Sequence, residues 1–587
     1  MTKTRAIVLV VLVAVGAYAN SVGNGFAYDD NHIVPNNPAV TNPTASRALL
    51  APYWPRSLEG SGLYRPVVIG SFAAQWWASG GSPVLFHAVN VAAHAAVCVI
   101  LLVLLSSFVA LPAALAGTLL FAVHPVHVEA VANVVGQSEL YAAGAVLLAC
   151  WLYLAGVGWT GARRGARLAG IAVLYLVGLG SKEIAVTLPA LLVLLELVRE
   201  SPEPPVRRIA RGLPVYLSLA AVLGGYLVLR TAVLGTMTGE VPAPALRGLT
   251  DGERILTALT VWPEYLRLLF FPVSLAADYS PAVIVTASGV SLDVVAGVVV
   301  LAGLLVLAWL LRSRVPLVSL GVAWFCVTIL PVSNLVIPAG VILAERTLYL
   351  PSMGLAIVVA GTVARWLPEL SRPQTRRVAL GFGLVVGMLL TVRTVLRNPT
   401  WLDSFTVLNT LAVEHPESYL SLRSRGAGLT RVGQVEEARR AYEAAVSLAP
   451  RHYGLLIEVA QFYGSRGQFA RAEELLRQAE RVNPDLPDAY VLLSEYYIRQ
   501  NRAREGHAFA LTGLRLAGPD ARLFALLSES YIAKGDLEAA VRARLAALGQ
   551  DPQSSSDWGR LADLYEAMGR AEEAGDARER QRETAGA

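Results

Sequence analysis

Charge is what this sequence has least of. Asp, Glu, Lys and Arg together make up 16% of its 587 residues, where a water-soluble protein carries about 25%. Apolar residues fill 55%. Much of the chain must therefore face something other than water, and its length exceeds one ordinary domain. Cysteine is nearly absent, and Cys98, Cys150 and Cys326 all lie inside apolar runs. That excludes a disulfide framework and a cysteine-based metal site. It leaves the redox compartment unread. The net charge of +5 is too small to point to nucleic acid as a partner. No cofactor is indicated, and no spacing marks a divalent metal.

The scarcity of charge is uneven. Charged residues are sparse before about residue 400 and dense after it, as in Glu436-Glu437-Ala438-Arg439-Arg440. A helical membrane span needs about 20 mainly apolar residues. Candidates fall at 6–22, 84–106, 108–123, 137–158, 167–180, 184–199, 213–231, 291–311, 315–331, 345–363 and 377–396, about eleven in all, the third, fifth and sixth being short. Lys3 and Arg5 before the first run, and Ala17-Tyr18-Ala19 at its end, also fit a cleaved signal peptide. An uncleaved anchor is the expectation.

Arginines set the orientation. With the N-terminus inside, the inner loops carry Arg163, Arg164 and Arg167; then Arg199, Arg207, Arg208 and Arg211; then Arg312 and Arg314; then Arg365, Arg372, Arg376 and Arg377. The short outer loops carry Lys182 and Arg346. An odd count of spans puts the charged region after residue 400 outside. Two outer loops are long, 23–83 and 232–290. In the second, Trp262, Tyr265, Phe270 and Phe271 with Arg254 and Arg267 suit a helix lying in the interface. A small packed outer subdomain fits equally well.

Beyond residue 400 the chain repeats. Prolines recur at 450, 484, 519 and 552, and glycines at 433, 467, 535 and 569. Ala438 and Ala445, Ala472 and Ala479, and Ala540 and Ala547 stand at fixed distances before three of those prolines. A period near 34 with small contact residues and a closing proline resembles the tetratricopeptide repeat, about four of them. Each unit is a helix hairpin that buries its apolar face by stacking on the next. Such an array offers a concave surface for a protein or peptide, or it merely stabilises an assembly.

The outer loops also collect the polar residues. Tyr28-Asp29-Asp30, His124-Pro125-Val126-His127-Val128-Glu129, Ser181-Lys182-Glu183 and Glu345-Arg346 all stand at span ends on one side. Ionisable groups near a bilayer are costly unless paired or functional. Four clusters at one face predict a polar cavity open to the outside. A carboxylate there can draw a proton from a hydroxyl, and Lys182 and Arg346 can neutralise a phosphate. Each residue also has a plainer reading. An Asp pair caps turns, and His124, His127 and Glu129 match no standard zinc spacing, so interfacial hydrogen bonding suits them better. Lys182–Glu183 and Glu345–Arg346 could be neutralised pairs, and Arg65 an anchor at headgroup level.

The same residues carry a resemblance. Phe26-Ala-Tyr-Asp29-Asp30, Tyr64-Arg65-Pro66, Phe86-His87 through Asn90 and His94, and Leu120-Phe121-Ala-Val-His124-Pro-Val-His127-Val-Glu129 resemble the transmembrane and tetratricopeptide repeat O-mannosyltransferases. So do Gly136-Gln137-Ser138-Glu139-Leu140, Ser181-Lys182-Glu183, Asp278-Tyr279-Ser280, Asn334-Leu335 and Ala344-Glu345-Arg346-Thr-Leu-Tyr349-Leu-Pro351-Ser352. The matches run in family order along nearly the whole chain.

The resemblance implies an all-α architecture: a polytopic GT-C glycosyltransferase bundle over 1–398, then a soluble tetratricopeptide-repeat solenoid over 399–587. It implies a donor like dolichol-phosphate mannose, a polyprenyl-phosphate sugar taken from the lipid bilayer, and an acceptor protein or peptide held by the repeats. Asp29 and Asp30 fall on the family's acidic motif, one of them as the base of an inverting transfer. Lys182 and Arg346 become the phosphate-binding residues, with Arg65, His124, His127, Glu129, Glu183 and Glu345 lining the cavity. The Ala-, Leu-, Gly- and Arg-rich usage suggests a bacterium, hence an inner membrane, a periplasmic outer side and undecaprenol. Two other functions compete. A non-enzymatic scaffold has no need of polar groups at four span ends, and a transporter more typically shows ionisable residues at mid-span and inverted repeats.

Overall fold

The computed structural model describes residues 1–587 except 43, 45–48, 56–61, 238–242, 244–245, 247–248, 280, 370–371 and 586–587. Ser280 of the Asp278-Tyr279-Ser280 match lies outside the described residues. Among them the chain is helical throughout, with no strand. It divides into two compact units, Met1–Ser424 and Arg425–Ala587. Residues 399–424, expected with the repeats, pack in the first unit.

Every expected span coincides with a helix of the first unit. Seven are long and apolar enough to cross a membrane, and an eighth forms if Leu111–Ala122 and Pro125–Val131, bent by 52° at their junction, count as one broken span. The other three fall short for visible reasons. Gly161–Ser181 opens on Arg163, Arg164 and Arg167. Leu188–Val198 has 11 residues and Pro316–Ile329 has 14, about 16 and 21 Å at 1.5 Å per residue.

Proline starts several of these helices, where its missing N–H costs nothing, as at Pro83, Pro316 and Pro373. Leu292–Leu311 and Pro373–Trp401 have only 11% and 6% of their apolar windows buried. Leu292, Leu310, Phe382 and Leu384 on them stand exposed, as lipid-facing helices require. The centre packs in the opposite manner. A Cβ added at Gly117 would lie 2.2 Å from the Ala356 carbonyl oxygen, and one at Gly321 would lie 2.5 Å from that of Gly354. These close backbone approaches, which only small residues permit, join Leu111–Ala122, Pro316–Ile329 and Tyr349–Trp366 into the wall behind the outer loops.

The tetratricopeptide array closes the chain. Its hairpins are Val435–Leu448 with the helix before it, Tyr453–Gly464 with Phe469–Val482, Asp488–Arg499 with Ala503–Leu516, Ala521–Ile532 with Leu537–Gln550, and Ser555–Ala567 with Ala571–Ala585. That is one hairpin more than the prolines mark. Each inner turn needs a left-handed residue: Gly433, Gly467, Gly535 and Gly569 have φ of 72–78°. Between them Asn501 does the same work at φ 61°, since Asn tolerates this region better than other non-glycine residues. Gly506 and Gly513 hold the small-residue positions of that middle repeat; a Cβ at Gly513 would lie 2.7 Å from that of Tyr490.

Candidate active site

The first outer loop turns sharply at its acidic pair. After Lys3–Tyr18 and the turn Ala19–Gly23, the chain reaches Tyr28 at φ 51° and enters the short helix Asp29–Ile33. A bulky residue at positive φ is strained, so the surroundings must hold it. Asp30 supplies one anchor. It is buried, and its carboxylate accepts from the backbone N–H groups of Ala27 at 3.1 Å, Val134 at 3.4 Å and Val135 at 2.9 Å. Burial pushes Asp30 up to about 7, while those three N–H groups pull it down. Asp29, half-buried, faces the other way.

Asp29 faces a cavity of about 310 Å³. Arg65, Glu129, Lys182, Glu183 and Arg346 share its wall, so six of the residues singled out from sequence converge on one space. They are charge-paired there. Arg346 donates from Nη1 to Glu129 Oε1 at 2.6 Å and from its backbone N–H to Oε2 at 2.8 Å, while its Nη2 stands 3.5 Å from Asp29 Oδ2. Lys182 pairs with buried Glu139. Arg65 and Arg230 both reach Glu183, at 2.9 and 3.2 Å. Burial raises Asp29 above the usual carboxylate value, with Arg346 opposing the shift.

His124, His127 and Glu345, expected on the wall, do not line this cavity. Each is consumed by the frame behind it. His124 Nε2 donates to the Leu269 carbonyl at 2.9 Å, and His127 Nε2 lies 2.7 Å from Ser352 Oγ. Glu345 accepts from the Tyr279 hydroxyl at 2.9 Å and the Ala276 N–H at 2.6 Å. The same frame holds His94, whose Nε2 donates to Ala122 O and whose Nδ1 therefore accepts from the Tyr349 hydroxyl at 2.7 Å. Among the described residues no three of His, Cys, Asp or Glu are grouped to hold a metal ion.

Several residues of the site escaped sequence reasoning. Glu139 stood inside a matching motif with no role attached. Arg230 lay in a run read as a span, although an arginine there is itself a signal. Its Nη2 donates to Gly62 O at 2.8 Å and its Nε to Met237 O at 3.1 Å, so it fastens both long outer loops. Tyr53, Trp54, Asp278 and Tyr419 also line the wall; Asp278 stood inside a matching motif with no role attached, and nothing local in the sequence distinguishes the other three.

No family model matches the chain. Individual proteins do. Protein O-mannosyl-transferase TMTC3 of Mus musculus is 25% identical over 621 residues, covering 96% of this chain and 65% of that protein. TMTC3 of Homo sapiens is 24% identical over 613 residues, covering 90% and 66%. TMTC4 of Mus musculus is 27% identical over 458 residues, covering 67% and 60%. The chain is thus similar to these O-mannosyl-transferases over 67–96% of its length, at 24–27% identity. It spans about two thirds of the length of the TMTC3 relatives it matches, at 65–66%. Among solved structures, MamA 41-end from Desulfovibrio magneticus RS-1 is 17% identical with a TM-score of 0.26, covering 28% of this chain and 94% of that one. YrrB, a TPR protein with an unusual peptide-binding site, is 15% identical with a TM-score of 0.25, covering 30% and 91%.

Seven of the TMTC-like motifs thus meet in space: Tyr28-Asp29-Asp30, Tyr64-Arg65-Pro66, the run ending at Glu129, Gly136-Gln137-Ser138-Glu139-Leu140, Ser181-Lys182-Glu183, the motif of Asp278, and Ala344-Glu345-Arg346 each send a residue to the cavity wall. Glu183 is the joint between two of them. Glu183→Ala is expected to lower stability by roughly 2–4 kcal/mol, because it takes the carboxylate from the buried Arg230 and the half-buried Arg65 guanidinium groups. Thermal unfolding of the detergent-purified protein reads it, and an unchanged midpoint would show the triad to be dispensable.

Proposed function

We propose that the protein is a membrane glycosyltransferase. It moves mannose or another hexose from a polyprenyl-phosphate donor to a hydroxyl of a secreted or envelope protein, with inversion at the anomeric carbon. The observation that carries this reading is the meeting of Asp29 with Arg346 and Lys182 around one cavity. A base and two phosphate-binding cations are the parts such a transfer needs.

In the proposed reaction the Asp29 carboxylate takes the proton of the acceptor hydroxyl. The acceptor oxygen attacks the anomeric carbon from the face opposite the lipid phosphate. The bond from that carbon to the phosphate oxygen breaks, and Arg346 and Lys182 take up the charge that develops on the leaving group. A phosphate that draws on Arg346 also competes with Asp29 for it. Donor binding then leaves Asp29 with less counter-charge and makes it a stronger base. The names of the relatives, all protein O-mannosyl-transferases, agree with a protein acceptor. The repeats are the surface that would hold it, in a bacterial inner membrane with the outer loops on the periplasmic side.

The test is direct. The purified protein is incubated with radiolabelled polyprenyl-phosphate hexoses and a periplasmic extract. A labelled protein band is expected from at least one donor. No transfer from any donor would overturn the reading and leave a membrane-anchored scaffold in its place.

A further inference from the structure

The base proposed above follows a strained residue, and one half of what holds it comes from the far end of the unit. The segment just after the last apolar span runs alongside the first outer loop. Asn20 Nδ2 donates to Val395 O at 2.9 Å, Asn24 Nδ2 to Asn398 O at 3.2 Å, and the Gly25 N–H to Leu402 O at 2.8 Å. The approach at Gly25 is close: an added Cβ would lie 3.2 Å from that carbonyl oxygen. The series ends at Ser404, the first residue of the helix Ser404–Glu414. Its Oγ accepts from the Tyr28 N–H at 2.9 Å and from Asn31 Nδ2 at 2.9 Å.

We infer that Ser404 is a positioning residue for Asp29. Tyr28 is the residue at φ 51°, and its N–H is the group Ser404 engages. Asp30, two residues on, is fixed by the Val134 and Val135 N–H groups. Asp29 is therefore suspended between two anchors, one on each neighbour. Without the Ser404 acceptor the Tyr28 N–H loses its partner in a half-buried place, and the peptide can relax toward negative φ. That rotation turns Asp29 away from the cavity. Of the cations of the proposed phosphate site, Lys182 keeps Glu139 and Arg346 keeps Glu129; Arg346 gives up only its 3.5 Å approach to Asp29, a rival of the phosphate, so donor binding is not weakened. The effect falls on chemistry and not on donor binding.

This inference rests on the reading of Asp29 as base, and the experiment separates the two. Ser404→Thr and Ser404→Val are compared in the full-length protein, since they share a shape and differ in the hydroxyl. Ser404→Val is expected to lower kcat by about 10–100-fold, the scale of a misplaced reacting group, with donor KM within about twofold. Ser404→Thr restores most of the rate. Adding Ser404→Val to Asp29→Asn costs little more, because the two act through one carboxylate. Equal rates for the Thr and Val variants, or a rise in donor KM that accounts for the loss, would overturn the inference. If Asp29→Asn transfers sugar at the normal rate, the base assignment itself fails. If it is inactive while Ser404→Val is fully active, only the role of Ser404 fails.

Discussion

Asp29→Asn is expected to lower sugar transfer by about 10²–10⁴-fold, the usual contribution of a general base, with expression and membrane insertion intact. The substitution keeps the shape and removes the proton acceptor. Asp30→Asn is expected to differ in kind. Asp30 does not itself line the cavity and instead receives three backbone N–H groups. An amide nitrogen placed among those donors would loosen the loop, so Asp30→Asn reduces activity through geometry. The pH profile tells the two apart. A base works deprotonated, so the rate climbs as pH rises through its pKa. Burial lifts Asp29 above the ordinary value of 3.8, and the acid limb of the wild-type profile should lie correspondingly higher. Asp30→Asn keeps that limb and Asp29→Asn loses it. Undiminished transfer in both variants would remove the carboxylate base altogether.

Arg346→Ala is the second large effect. Among the described residues Arg346 is the cation that pairs with both Glu129 and Asp29, and its loss leaves those two carboxylates without it. Removing a preorganised donor of this kind costs about 10²–10³ in rate. Donor KM should rise as well, since the phosphate loses its bidentate partner. Arg346→Lys restores charge but cannot hold Glu129 through one nitrogen while facing Asp29 with another. It should recover only part of the loss. Steady-state kinetics over a range of donor concentration decides the matter: an unchanged KM in Arg346→Ala would take the phosphate role away from this residue.

The parts of this molecule that obey a period or a composition were legible in its sequence. All the apolar runs became helices, and the 34-residue repeat became hairpins. The gap in the glycine series was legible too, once Asn501 is recognised as a residue that tolerates the same turn. The cavity was half legible. Polar residues at span ends do gather on one side, and Asp29, Arg65, Glu129, Lys182, Glu183 and Arg346 meet there. The same cue misplaced His124, His127 and Glu345, because a polar group at a helix end can face the cavity or satisfy a neighbouring carbonyl. Which way it turns depends on partners far along the chain, such as Leu269, Ser352 and Tyr279. Ser404 shows the limit most clearly. An isolated serine beside a helix start reads as a cap, and only the fold brings it to the Tyr28 N–H.

The charge pairing around the cavity has a consequence for turnover. Arg65, Lys182, Arg230 and Arg346 already hold Glu183, Glu139, Glu129 and Asp29, four basic groups paired with four acidic ones, and Asp278 adds a further acidic residue to the wall. Such a vestibule exerts no strong pull on anions in general. In the proposed reaction a phosphate enters by displacing the protein's own carboxylates, and the lipid phosphate that departs carries more negative charge than the donor brought. Those carboxylates are then covalently tethered rivals for the same cations. In that reaction they would offset part of the stronger attraction between the cations and the more highly charged product.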